Sequence, residues 1–164
     1  MGIVQPELFS PLPVRAVDSP LGRIWLECDG ERMTRLSFTA IGRQSARPPQ
    51  VLHEAVRQLE QYFNGTRQRF DLPLTNAGSP FRRKVLKDLL SISYGRVRSY
   101  QEIAERVGGN ARAVGGACAW NPLPILIPCH RVVSANGLLT GYIGGLWRKR
   151  WLLEHERAIP EQAP

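Results

Sequence analysis

The residues best suited to chemistry in this chain lie in one short run, Pro128-Cys129-His130-Arg131. A cysteine thiol becomes a soft nucleophile once ionised, and positive neighbours such as His130 and Arg131 lower its pKa and raise the thiolate fraction. The commoner fate of a free cysteine is that of a small buried hydrophobe, and spacing alone leaves both readings open for Cys129. Cys118 lacks such neighbours and Cys28 falls in a strand pattern, so both read as structural. Three cysteines at wide, irregular spacing make neither a disulfide framework nor a paired-cysteine zinc site. A reduced compartment and no bound metal or other cofactor are therefore expected.

The elements around that run follow from local pattern. Asn121-Pro122-Leu123-Pro124 leads into an apolar stretch, Ile125–Ile127, that delivers Cys129 at its end. Before it, Ser99-Tyr100-Gln101-Glu102 is a capping box that opens a short helix through Arg106. Gly108-Gly109-Asn110 turns the chain, and Ala111–Trp120 forms a second short helix. Helix, glycine turn, helix is the outline of a helix-turn-helix. The second helix carries Ala111, Ala113, Gly115, Gly116, Ala117 and Ala119, with Arg112 as its one charge. Either it packs tightly on a neighbour, or something outside must approach its backbone closely. Ahead of both, Ser79-Pro80 caps a helix whose apolar face is Phe81, Val85 and Leu89.

The first half is plainer. After an irregular lead-in of about a dozen residues, Arg15–Asp18 and Arg23–Cys28 flank the turn Ser19-Pro20-Leu21-Gly22 and predict a hairpin. Met33–Phe38 predicts a third strand, Gln50–Asn64 a helix stopped by Gly65, and Phe70–Leu74 a short strand. Thr75–Ser79 is the boundary, which divides the chain into an α/β scaffold over 1–76 and a helical domain over 77–164. Charge follows the same division. Residues 1–76 hold 9 Lys+Arg against 8 Asp+Glu, and residues 77–164 hold 13 against 6. A basic second half suits a polyanion, although 19 of the 22 basic residues are Arg, as a GC-rich genome would also produce. The first basic residue is Arg15 and no apolar stretch reaches membrane-spanning length, so a soluble, cytoplasmic chain away from membranes is expected.

The run Ile127-Pro128-Cys129-His130-Arg131-Val132 closely resembles the active-site motif of the O6-alkylguanine-DNA alkyltransferases, the methylated-DNA–protein-cysteine methyltransferases. Further motifs fall in that family's order: Ser99-Tyr100, Arg112-Ala113-Val114-Gly115, Asn121-Pro122, Gly141-Tyr142 with Gly144-Gly145, and Arg148 to Glu156. The resemblance is strong over about residues 79–157. It extends weakly into the first half through the Ser19–Gly22 turn and Tyr62-Phe63-Asn64-Gly65.

The resemblance implies an α+β, two-domain protein, with a ribonuclease-H-like first domain and a second domain built on a winged helix-turn-helix. It implies direct DNA repair: an alkyl group passes from O6-alkylguanine, and from O4-alkylthymine, in double-stranded DNA to the protein, which is consumed. Cys129 would be the nucleophile, His130 its proton relay, Glu156 the carboxylate that orients the imidazole, and Tyr100 a donor to the leaving base. Asn121 would tie the helix-turn-helix to the active-site strand. Pro124, Val132, Tyr142, Ile143 and Gly144 would line the base pocket. Arg112 would fill the stack left by a flipped base, with Gln101, Ala113, Gly115 and Arg131 also facing DNA. A monomer is expected, with cooperative binding along DNA left open.

Three positions depart from the family pattern. The turn before Arg112 is about two residues short, Leu86 stands where Trp is usual, and Ile143 where a small or polar residue is. Ile143 would either narrow the pocket or lean out over its rim, and the tight loop around it favours narrowing. Two rivals are a binding-only relative, which would lack Cys129, and a helix-turn-helix regulator, which would need an effector or dimerisation region. A cysteine hydrolase would leave the basic helix-turn-helix unexplained.

Overall fold

The computed structural model describes residues 12–160. All but the end of the irregular lead-in therefore lies outside the described residues. The chain forms two compact units that meet between Thr75 and Asn76.

In the first unit, β1 (Val14–Ser19), β2 (Gly22–Cys28) and β3 (Met33–Ser37) form an antiparallel meander in chain order. Ser19 pairs with Gly22, so Pro20 and Leu21 make the turn. The Ser19 hydroxyl accepts from the Leu21 N–H, and Gly22 takes φ +95°, a conformation open to glycine at no steric cost. The strand alternation puts Ile24, Leu26 and Cys28 fully inside. Helix α1 (Gln50–Phe63) lays Leu52, Ala55, Leu59 and Tyr62 into the same core. The strand expected over Phe70–Leu74 shrinks to one bridge between Leu74 and Met33. Pro73 has no N–H to donate and breaks the ladder there, while the buried Gln58 amide holds the Asp71 backbone instead.

The second unit contains α2 (Pro80–Leu89), β4 (Arg98–Ser99), α3 (Tyr100–Val107), α4 (Ala111–Trp120), β5 (Val132–Val133) and α5 (Leu146–His155). Its helix starts are set by side-chain caps. Ser79 accepts from Arg82 N–H, Ser99 and Glu102 exchange both bonds of a capping box, and Asn110 accepts from Ala113 N–H. Gly108 and Gly109 both have positive φ, and this turn lets α4 fold back on α3. The short parallel β4–β5 ladder joins the start of α3 to the segment that follows Cys129. No described helix is long and apolar enough to cross a membrane.

Candidate active site

Cys129 does not end a strand. It opens a single 3₁₀ turn, Cys129–Arg131, reached through an irregular buried stretch. Pro124 and Pro128 lack the N–H groups that a ladder would use. Ile125 takes φ +74°, a strained state for a β-branched residue, which persists only where its surroundings hold it. Asn121, at the C-terminus of α4, is part of that hold. Its Nδ2 donates to Ile127 O at 2.9 Å and its Oδ1 accepts from Leu123 N–H at 3.0 Å. Cys129 N–H donates to the same Ile127 carbonyl at 2.8 Å. Asn121 thus connects the helix-turn-helix to the cysteine, through a turn where a strand was expected.

Behind the cysteine, the His130 Nε2–H donates to Glu156 Oε1 at 2.6 Å, and both side chains are fully buried. Nδ1 is buried and meets no hydrogen-bond partner among the protein atoms. Arg131 was expected to face DNA, and here the structure corrects the sequence. Its guanidinium is buried, donating Nε to Glu156 at 2.9 Å and Nη1 to Ile92 O at 2.6 Å, while Nη2 lies 2.8 Å from Glu156. Buried, with Nε and both Nη nitrogens held by Glu156 and Ile92 O, the guanidinium is withdrawn from the surface that would meet phosphate.

These contacts set the protonation states. Burial pushes Glu156 upward, but the His130 and Arg131 bonds and charges outweigh it and hold the carboxyl down at about 2. Burial lowers His130 against the pull of Glu156, so the imidazole is neutral near pH 7. Burial pushes the Cys129 thiol up to about 11, opposed by a hydrogen bond from Asn121 and the charge of Lys149. The groups that favour the thiolate are therefore Asn121 and Lys149, and not the flanking His130 and Arg131. Burial outweighs them, so the resting thiol is predominantly protonated near pH 7.

Cys129 lines a cavity of about 270 Å³ together with Tyr100, Gly115, Cys118, Ala119, Gly141, Tyr142 and Ile143. Tyr100, Tyr142 and Ile143 of the expected pocket are thus brought to the thiol. Ile143 is 55% exposed, which puts it on the rim, so its side chain leans outward more than it narrows. Pro124, Val132 and Gly144 are buried but do not line the cavity. Val132 is committed to the β5 ladder, and Gly144 offers its carbonyl to Arg148 at 2.7 Å. The Tyr100 hydroxyl donates to Thr140 O at 2.8 Å.

Two residues beside the thiol carry chemistry that the sequence reading missed. Lys149 is 0% exposed, with Nζ donating to Thr140 O at 3.0 Å and Gly141 O at 3.1 Å, and 3.5 Å from the Tyr100 hydroxyl. Burial lowers its pKa, partly offset by the two thiols. One signal was available: lysine is rare here, 3 of 22 basic residues, so each use of it is selective. The other is Cys118, read as structural, which shares the cavity wall with Cys129.

On the outside of α4, Arg112 is exposed in the first turn, and Gln101 is exposed in the first turn of α3. Ala113 and Gly115 are half-buried. A Cβ on Gly116 would meet nothing within 4 Å, and one on Gly115 only the Tyr100 ring at 3.9 Å. Packing within the protein does not require either glycine, which removes one of the two explanations for this bulk-free helix.

A helix-turn-helix followed by a buried thiol, itself next to a buried histidine–carboxylate pair, fits the class of nucleic-acid-binding proteins with a thiol in the site. The comparisons narrow this class. Residues 80–158 match the 6-O-methylguanine DNA methyltransferase DNA binding domain, and residues 14–75 match the ribonuclease-like domain of the same family. A methylated-DNA–protein-cysteine methyltransferase of Mycobacterium tuberculosis is 44% identical over 151 residues, 88% of this chain and 92% of its own. One from Shigella flexneri is 41% identical over 161 residues, 85% of this chain and 92% of its own. The crystal structure of Mycobacterium tuberculosis OGT in complex with DNA aligns with TM-score 0.80 at 43% identity, covering 89% of this chain and 93% of that one. The chain belongs to the 6-O-methylguanine DNA methyltransferase family.

Proposed function

We propose that this protein repairs DNA by moving an alkyl group from O6-alkylguanine in a duplex onto the sulfur of Cys129, once per molecule. The observation that carries the reading is the thiol itself. It lines a small cavity in the helix-turn-helix unit, next in the chain to a neutral imidazole anchored by a buried carboxylate.

A thiol held at about 11 needs a base. With its Nε2–H donated to Glu156, His130 presents a bare Nδ1 that accepts the thiol proton through a bridging water. Sulfur then attacks the sp³ carbon, the S–C bond forms, and the C–O6 bond breaks with guanine as leaving group. Tyr100 turns its hydroxyl from Thr140 O to the guanine ring nitrogen, so that negative charge does not build up on the departing base. The resulting thioether has no route to hydrolysis, which makes the protein a single-turnover reagent.

The target carbon lies on a stacked base, so the nucleotide is flipped into the cavity. Gly115, Gly116, Ala113 and Ala119 leave α4 slim enough to lie along the minor groove, and exposed Arg112 enters the vacated stack. The basic balance of residues 77–164 supplies phosphate attraction. The protein acts as a monomer.

The Cys129→Ala variant tests this directly. It should bind O6-methylguanine duplex within a few-fold of wild type and transfer nothing. Persisting transfer would show that another group is the acceptor. Tight binding without transfer by the wild type would make the protein a marker of damaged bases.

A further inference from the structure

The mechanism above uses one thiol of a cavity that contains two. Cys118 lies near the end of α4 and Cys129 on the 3₁₀ turn, both line the same space of about 270 Å³, and both are free. They are 8% and 5% exposed. One short chain of hydrogen bonds fixes their backbones together. Asn121 N–H donates to Cys118 O at 3.2 Å, Asn121 Nδ2 donates to Ile127 O, and Cys129 N–H donates to that same oxygen. Negative charge on Cys129 raises the Cys118 thiol, itself pushed up to about 12 mainly by burial, so the two sulfurs feel one another.

We infer that Cys118 is a second functional thiol of the site, one that captures an oxidised Cys129 as an intramolecular disulfide. The inference rests on Cys129 being the reactive acceptor. The oxidant is hydrogen peroxide. Cys129 sulfur attacks the peroxide, an S–O bond forms, the O–O bond breaks, and water leaves with the thiol proton. Cys118 sulfur then attacks the sulfenic sulfur of Cys129, forming S–S and breaking S–O, and its proton leaves in a second water. The bridge fills the cavity and stops transfer. It also keeps Cys129 from the sulfinic and sulfonic acids, which are not readily reversed. A small-molecule dithiol restores both thiols and, with them, the acceptor. A bridge requires the Cα atoms to lie within about 7 Å of each other, and the cavity that both thiols line is the space in which the sulfurs would meet.

The experiment treats the full-length protein with hydrogen peroxide, blocks the remaining thiols, and maps peptides without reduction. Methyl uptake is measured before peroxide, after it, and after dithiothreitol. Wild type should lose two hydrogens in a Cys118–Cys129 cross-link, lose transfer, and regain more than half of it on reduction. Cys118→Ser should instead gain oxygens on Cys129 and regain less than a tenth. Oxygen addition at Cys129 in the wild type without a cross-link overturns the inference, as does a bridge between molecules. Should Cys118→Ser not fold, the wild-type peptide map decides by itself. Uptake before peroxide reports separately on Cys129 as acceptor, so failure of that reading is distinguishable from failure of this one.

Discussion

Glu156→Gln keeps the shape of the side chain and removes its charge. In the native site one buried carboxylate takes donors from His130 Nε2 at 2.6 Å and Arg131 Nε at 2.9 Å, with Arg131 Nη2 at 2.8 Å. After substitution the Arg131 guanidinium stays charged and buried, with Ile92 O at 2.6 Å and the Tyr94 ring at 5.9 Å as its remaining partners. The amide NH₂ also points a donor at donors. Breaking a buried ion pair from one side costs about 3–5 kcal/mol, out of a total stability of roughly 5–15 kcal/mol. Urea unfolding of wild type and variant at neutral pH measures the difference, and adding Arg131→Met to Glu156→Gln should recover at least half of the loss. In the folded variant His130 is less firmly oriented, and transfer should slow by about 10²-fold. A stability loss under about 1 kcal/mol, with the double variant no better than the single, would refute the claim that Arg131 depends on Glu156 for its charge.

Three further outcomes follow from the same geometry. Arg112→Ala should slow repair of fully paired duplex more than repair of single-stranded or mispaired substrate, because filling the stack offsets roughly a few kcal/mol of unstacking; comparison of second-order rates on the three substrates checks it. Lys149→Met takes away the cation that favours the Cys129 thiolate and the donors to Thr140 O and Gly141 O. It should lower transfer by roughly 10-fold near pH 7 and move the rise of the pH–rate profile upward. Glu156 is held at about 2, below its unfolded value, so its stabilisation is complete above about pH 4.5 and is lost as pH falls toward 2. Urea unfolding across roughly pH 5 to 2 should show a loss of about 3 kcal/mol that Glu156→Gln does not share.

Where local rules act, the sequence was legible. Ser79, and Ser99 with Glu102, announce helix starts, because a cap satisfies backbone donors within three residues. Ile24, Leu26 and Cys28 show the buried strand face through period two. What stayed hidden depends on contacts distant in the chain. The resemblance implied an active-site strand before Cys129, and the apolar run Ile125–Ile127 carries no sign that Ile125 adopts positive φ. Arg131 looked like a DNA contact because burial of a charge is visible only once Glu156, 25 residues on, closes over it. Lys149 lay inside the run Arg148 to Glu156 with no role of its own, and Cys118 had no charged neighbour in sequence to draw attention to it. The family resemblance singled out Glu156 and Asn121; periodicity alone would have left both as ordinary polar residues.

The central claim is that one sulfur, Cys129, receives one alkyl group and is spent. A time course with excess duplex carrying radiolabelled O6-methylguanine, followed by peptide mapping with chymotrypsin, which can cut after Trp120 between Cys118 and Cys129, measures number and site together. The label should plateau at one methyl per protein molecule and lie wholly on the peptide that contains Cys129. Continued turnover beyond that plateau, or label shared with the Cys118 peptide, would contradict the account.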